Sequence, residues 1–166
     1  MVTICCTARL LKRIGFPAES FITDSTTALG NWYANILFFH HAQVVLFVNE
    51  NSRLAVITPA KEVKSLANHL TRYLSSLLES LGIPSEWINA EIREMADVHF
   101  AKTHSRSVLG TMNDYKDQIE SKYHRSGKAD PLEMALNLSS CPVGPLQYRQ
   151  PAEMALDMFK KRYDVA

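Results

Sequence analysis

Three apolar runs in close succession, WYANILFFH (32–40), QVVLFVN (43–49) and RLAVITP (53–59), set the strictest limit on what this chain can become. The joints between them, HHAQ and ENS, are short and polar, so the runs are expected to pair as an antiparallel meander. Side chains alternate along a strand, which puts Trp32, Ala34, Ile36 and Phe38 on one face and Tyr33, Leu37 and Phe39 on the other. Both faces are apolar. A meander with one face in water alternates apolar and polar residues, so this sheet must be covered on both sides. Helices of this chain or a second subunit would supply the cover, and a homodimer is therefore one expectation.

The rest of the chain supplies helices. VTICCT (2–7) reads as a strand, and ARLLKRIG as a helix capped by Thr7 and stopped at Gly15. Residues 18–31 form a long polar connection. Thr58-Pro59 is expected to open a helix, with Thr58 as N-cap and Val63, Leu66, Leu70, Leu74, Leu77 and Leu81 turned inward. Ser85 caps a shorter helix carrying Trp87, Ile88, Ile92 and Met95, and DVHFAKT (97–103) reads as another strand. A helix from about Arg106 to Tyr123 follows, then the linker HRSGKAD, a capping box of Asp130 and Glu133, and a last helix from Pro151. The order β-α-βββ-α-α-β-α-α-α gives an α+β fold with a mainly antiparallel sheet of about five strands. Residues 1–127 form its core, and 128–166 a C-terminal helical segment packed on the same domain.

Composition narrows function by exclusion. The chain has 166 residues, 46% hydrophobic and 21% charged, which suits one domain with a real core and argues against disorder. A net charge of +1 does not favour nucleic acid, and acidic residues interrupt the basic stretch from Lys116 to Lys128. No apolar run approaches the ~20 residues of a membrane span, and the N-terminus lacks a secretory leader, so the expected location is the cytoplasm. Cys5, Cys6 and Cys141 form no disulfide framework, and neither a metal site nor a cofactor is implied.

The segment KTHSRSVLGTMNDY (102–115) concentrates the candidate binding residues. On the helix from Arg106, Val108, Met112, Tyr115 and Ile119 face the core, while Arg106, Gly110 and Asp114 lie opposite, with Ser107 alongside and Asn113 next to Asp114. A first turn with free N–H groups, Ser105, Arg106 and Ser107 suits an anion. A mid-face Gly110 costs helix propensity, which implies close approach by a chain segment, a partner or a ligand. STTALGNW (25–32) echoes SRSVLGTM (105–112), so Ser25, Thr26 and Trp32 join the candidates. A catalytic set of His104, Ser105 and Asp114 can be written down, but no recognised catalytic motif supports it, and no catalytic residue is assigned.

The blocks STTALGNWYANILFF, VVLFVNENSRLAVITPA, THSRSVLGTMNDY and PVGPLQYRQPAEMALDMF, in that order, resemble a family of small bacterial proteins known only as a domain of unknown function. The resemblance covers most of the chain. It implies an intracellular prokaryotic or phage-borne protein, and it carries no activity, cofactor or catalytic residue. The leading expectation is a binding module for a partner protein or an anionic ligand. A small enzyme acting on a phosphorylated or nucleotide substrate is the alternative, using His104, Ser105, Arg106 and Asp114. A nucleic-acid accessory protein of a phage or mobile element comes third.

Overall fold

A computed structural model describes residues 1–39, 42–61, 63–127 and 130–164, with the Val63 side chain also outside the described part. The expected turn at His40–His41, the inward Val63 and the basic Lys128 thus fall outside the described residues. The elements follow in the order read from the sequence: β1 (Val2–Cys6), α1 (Ala8–Ile14), β2 (Trp32–Phe39), β3 (Ala42–Asn49), β4 (Ala55–Pro59), α2 (Leu66–Ser80), α3 (Ser85–Glu94), β5 (Val98–Lys102), α4 (Arg106–Ser126), α5 (Pro131–Ser139) and α6 (Pro151–Tyr163).

The five strands lie side by side as β4-β3-β2-β1-β5. The meander is antiparallel, with Ala34 opposite Phe47 and Phe47 opposite Val56. β1 is different. It pairs in parallel with both β2 and β5, Cys5 standing opposite Tyr33 on one side and Ala101 on the other. A parallel neighbour needs a crossover, and α1 with residues 15–31 supplies it between β1 and β2. Most paired residues are nonetheless antiparallel, as the apolar meander implied.

Both apolar faces are covered by this chain's own helices. One face packs Ile4, Trp32, Ala34, Ile36, Phe47 and Val56 against Leu10 of α1, Leu70 and Leu74 of α2, Ile88 of α3 and Phe159 of α6. The other packs Tyr33, Leu37, Leu46 and Ile57 against Val108, Met112, Tyr115 and Ile119 of α4. Helix α5 packs along β4 and gives Ala135 to the first core and Met134 and Leu138 to the second. The C-terminal helices thus join the domain on both faces. The two-sided meander therefore needs no second subunit, and the argument for a homodimer loses its basis.

Thr58-Pro59 does not open a helix. Both residues end β4, paired with Val45 and Val44, and Thr58 is fully buried. A short 3-10 turn at Val63–Ser65 precedes α2 instead. Proline is tolerated there because it ends an edge strand, where its missing N–H costs no ladder bond. Helix α4 runs to Ser126, past the expected end at Tyr123, and Gly127 closes it at φ 66°. Asp130 caps α5 through the Glu133 N–H, but the Glu133 carboxylate turns to Lys122 Nζ at 3.4 Å, so the ion pair takes the place of a reciprocal bond.

Candidate functional site

The turn between β3 and β4 organises the polar end of the molecule. Asn49 is fully buried, and its Nδ2 donates to the carbonyls of Leu29 and Asn31 while its Oδ1 accepts from the Asn51 N–H and from both the N–H and hydroxyl of Ser52. One side chain therefore fixes the turn and the 25–31 loop together. The loop is held from its other side by Glu91 of α3, whose carboxylate accepts the N–H groups of Ala28 at 2.7 Å and Leu29 at 3.1 Å. Burial raises the Glu91 pKa, and those two backbone donors pull it part of the way back.

Arg53 leaves the same turn toward α4. Its φ of 59° is the left-handed conformation, unusual for arginine, and its Nη2 donates to Ser107 Oγ at 3.0 Å. Its Nη1 bonds the Glu50 carbonyl, and its own carbonyl accepts the Tyr115 hydroxyl at 2.8 Å. Burial pushes the Arg53 pKa down, with Tyr115 and Glu50 acting in the opposite direction. Beside it, the Tyr33 hydroxyl lies 3.0 Å from Nδ1 of His104 and accepts the Ser105 N–H at 3.1 Å.

Helix α4 begins as its sequence implied. Ser105 Oγ accepts the Val108 N–H at 3.3 Å, and the predicted apolar face of Val108, Met112, Tyr115 and Ile119 is buried. Arg106, Ser107, Gly110, Asn113 and Asp114 are exposed. No described atom outside the helix's own backbone comes within 4 Å of a Cβ built on Gly110, so no segment of the described chain explains that glycine. Asp114 lines a shallow cleft with Thr111, Tyr115 and the 142–145 turn, and no hydrogen bond among the described residues joins it to His104 or Ser105. A nucleophile set is not assembled. Cys5 and Cys6 offer no alternative, since burial pushes both thiols up to about 12.

The two echoing segments do not share hydrogen bonds. Ser25 Oγ donates to the Met1 carbonyl and Thr26 Oγ1 to Glu94 Oε2, while Trp32 is fully buried in the core on the opposite face from α4. They are joined indirectly, because Glu50 Oε1 accepts the Asn31 N–H and Arg53 of the same turn reaches Ser107. Reading ENS as a plain turn, with Asn49 and Arg53 as ordinary strand ends, misses the roles of Asn49, Glu50 and Arg53. The available signal was an arginine placed directly before a buried strand. Among the described residues no cluster of His, Cys, Asp and Glu could hold a metal ion, and no helix is long and apolar enough to cross a membrane.

This is a three-layer α+β domain whose polar end is built from one hairpin turn, one buried glutamate and the start of one long helix. The chain belongs to the family described as "Domain of unknown function (DUF6933)", whose model matches residues 3–154. No curated protein matches it.

Proposed function

We propose that this protein is a binding module that docks a partner protein through residues 16–22, with the exposed Arg106 at the start of α4 as a second contact. The observation that carries this reading is the outward display of three large apolar side chains on one anchored segment: Phe21 is 83% exposed, Phe16 43% and Ile22 39%. The segment is tied down at its centre. Glu19 donates its N–H to the Phe100 carbonyl at 2.7 Å, bridges Ala101, and sets its carboxylate 2.7 Å from His99 Nδ1. Apolar side chains held out on fixed backbone lose less entropy on docking than those on a loose loop, and such patches are typical of interfaces. Arg106, a few residues beyond Ala101 and exposed, adds a residue type enriched at interfaces.

The enzymatic alternative has less support, because Ser105 Oγ is engaged in capping and His104 with Tyr33. The nucleic-acid alternative has the near-neutral charge against it. The test is a photo-crosslinking side chain at position 21, compared with one at exposed Arg72 on α2, in cells of the native host. A discrete partner trapped from position 21 alone, and lost to competition by wild type but not by Phe21→Ser, is expected. Identical products from both positions, or equal competition by Phe21→Ser, would overturn the reading.

A further inference from the structure

We infer that the start of α4 is an oxyanion site for a phosphate group, with Arg53 beneath it as a buried counter-charge. The first two helical amides, Arg106 and Ser107, have no acceptor among the described residues, whereas Val108 N–H is taken by Ser105 Oγ and Leu109 N–H by the Ser105 carbonyl. Free amides at the positive end of a 21-residue helix favour an anion, but every helix has such an end.

The second observation is Arg53. It is only 8% exposed, its Nε has no hydrogen-bond partner, and no carboxylate lies within ion-pair distance of it among the described residues. Glu50 acts on it at longer range, yet Glu50 Oε1 is occupied by the Asn31 N–H. A buried guanidinium with no carboxylate in direct contact, and Glu50 acting only at longer range, is costly, and an anion close to it would offset part of that cost. Its direction shows where that would be, since Nη2 points to Ser107 Oγ in the first turn of α4. Ser107 Oγ uses a lone pair on Arg53, which leaves its own proton to donate outward from an exposed position.

Four donor groups with the two positive charges of Arg53 and Arg106 suit a doubly charged anion better than a singly charged carboxylate. The Arg106 and Ser107 amides, the Ser107 hydroxyl and the exposed Arg106 guanidinium suit the three terminal oxygens of a phosphate monoester, with Arg53 charge below. The site shares Arg106 with the proposed docking surface but not Phe21 or its anchored segment. A phosphorylated partner would use both, and free phosphate would use this one alone.

The test uses the isolated full chain, titrated with inorganic phosphate and separately with N-acetyl-phosphoserine amide at constant ionic strength, followed by backbone amide NMR. Saturable shifts led by the Arg106 and Ser107 amides are expected. Ser107→Ala and Arg106→Gln should each weaken binding by about tenfold, as loss of a charge-assisted hydrogen bond implies. The melting temperature should be unchanged in Arg106→Gln and lowered in Ser107→Ala, which also takes the acceptor from Arg53 Nη2, so binding is compared per folded molecule. Tighter binding of the phosphoserine probe identifies a monoester as the ligand, and tighter binding of inorganic phosphate identifies the free ion. Phe21→Ser should leave either titration unchanged, so failure of the docking surface and failure of this site are separable. Absence of saturable shifts at Arg106 and Ser107 with both probes, or full affinity in either variant, overturns the assignment.

Discussion

The Tyr33 hydroxyl accepts the backbone N–H of Ser105 at 3.1 Å while standing 3.0 Å from Nδ1 of His104. A central-strand side chain thereby positions the residue that caps α4. Tyr33 itself is fully buried, and burial is the first cause of its raised pKa, so the hydroxyl stays protonated through neutral pH. Tyr33→Phe would preserve the packing but leave the Ser105 amide without its acceptor. The expected cost is about 1–2 kcal/mol, read from urea denaturation. His104→Ala removes only an exposed partner and should cost less than about 0.5 kcal/mol. Equal losses in the two variants would mean that the imidazole, not the capping residue, is what the hydroxyl secures.

Gly110 gives a prediction of opposite sign. The residue is exposed, its φ is not in the left-handed region, and a Cβ there meets no neighbour within 4 Å. Gly110→Ala should raise stability by about 0.5–1 kcal/mol through helix propensity and a less flexible unfolded chain. Thermal melting of the isolated protein is the measurement. A lower melting temperature would show that the methyl group is obstructed after all.

The apolar pattern carried more of the fold than the polar pattern carried of the site, for a physical reason. Alternation along Trp32–Phe39 and the α4 spacing of Val108, Met112, Tyr115 and Ile119 report burial directly, because burial is what those side chains contribute. Parallel pairing of β1 was not legible, since VTICC is apolar throughout and a strand covered on both faces looks the same in either direction. Thr58-Pro59 has the chemistry of a helix start, and edge-strand tolerance of proline overrode it. Asn49, Glu91 and Arg53 act across sequence separations of 20, 63 and 54 residues, to Leu29, Ala28 and Ser107. No local spacing can encode contacts of that kind.

The 25–31 loop should be intolerant at Gly30. Its φ is 87°, and a Cβ there would stand 2.5 Å from Asn51 Nδ2 and 3.4 Å from Glu50 Oε1. Asn51 could swing away, but only by giving up its bond to the Leu29 carbonyl at 3.1 Å. Backbone strain and that lost bond together predict that Gly30→Ala costs about 1–3 kcal/mol. The contrast with Gly110→Ala is the informative part, because the same substitution stabilises where the backbone is helical and open. Chemical denaturation of both variants in one buffer would check it, and a stable Gly30→Ala protein would mean that the loop relaxes freely.

Glu91 links the loop to pH. Its carboxylate is fully buried, and desolvation raises its pKa above the ordinary carboxylate value even though Ala28 and Leu29 donate to it. The folded protein thus holds the Glu91 proton at pH values where the unfolded chain has released it. More protons are bound in the folded state across that window, so stability falls as pH rises from the ordinary carboxylate pKa to the raised folded one. Below the window both states are protonated and the penalty is absent, and above it the penalty is constant. Glu91→Gln removes the titration, but it turns an amide donor toward one of the two backbone donors and should cost about 1–3 kcal/mol at neutral pH. Urea denaturation from about pH 4 to about pH 8 should therefore show a less stable variant whose stability declines less with rising pH than that of wild type. An identical pH slope in the two proteins would mean that Glu91 is ionised throughout, held by its two backbone donors more strongly than burial opposes them.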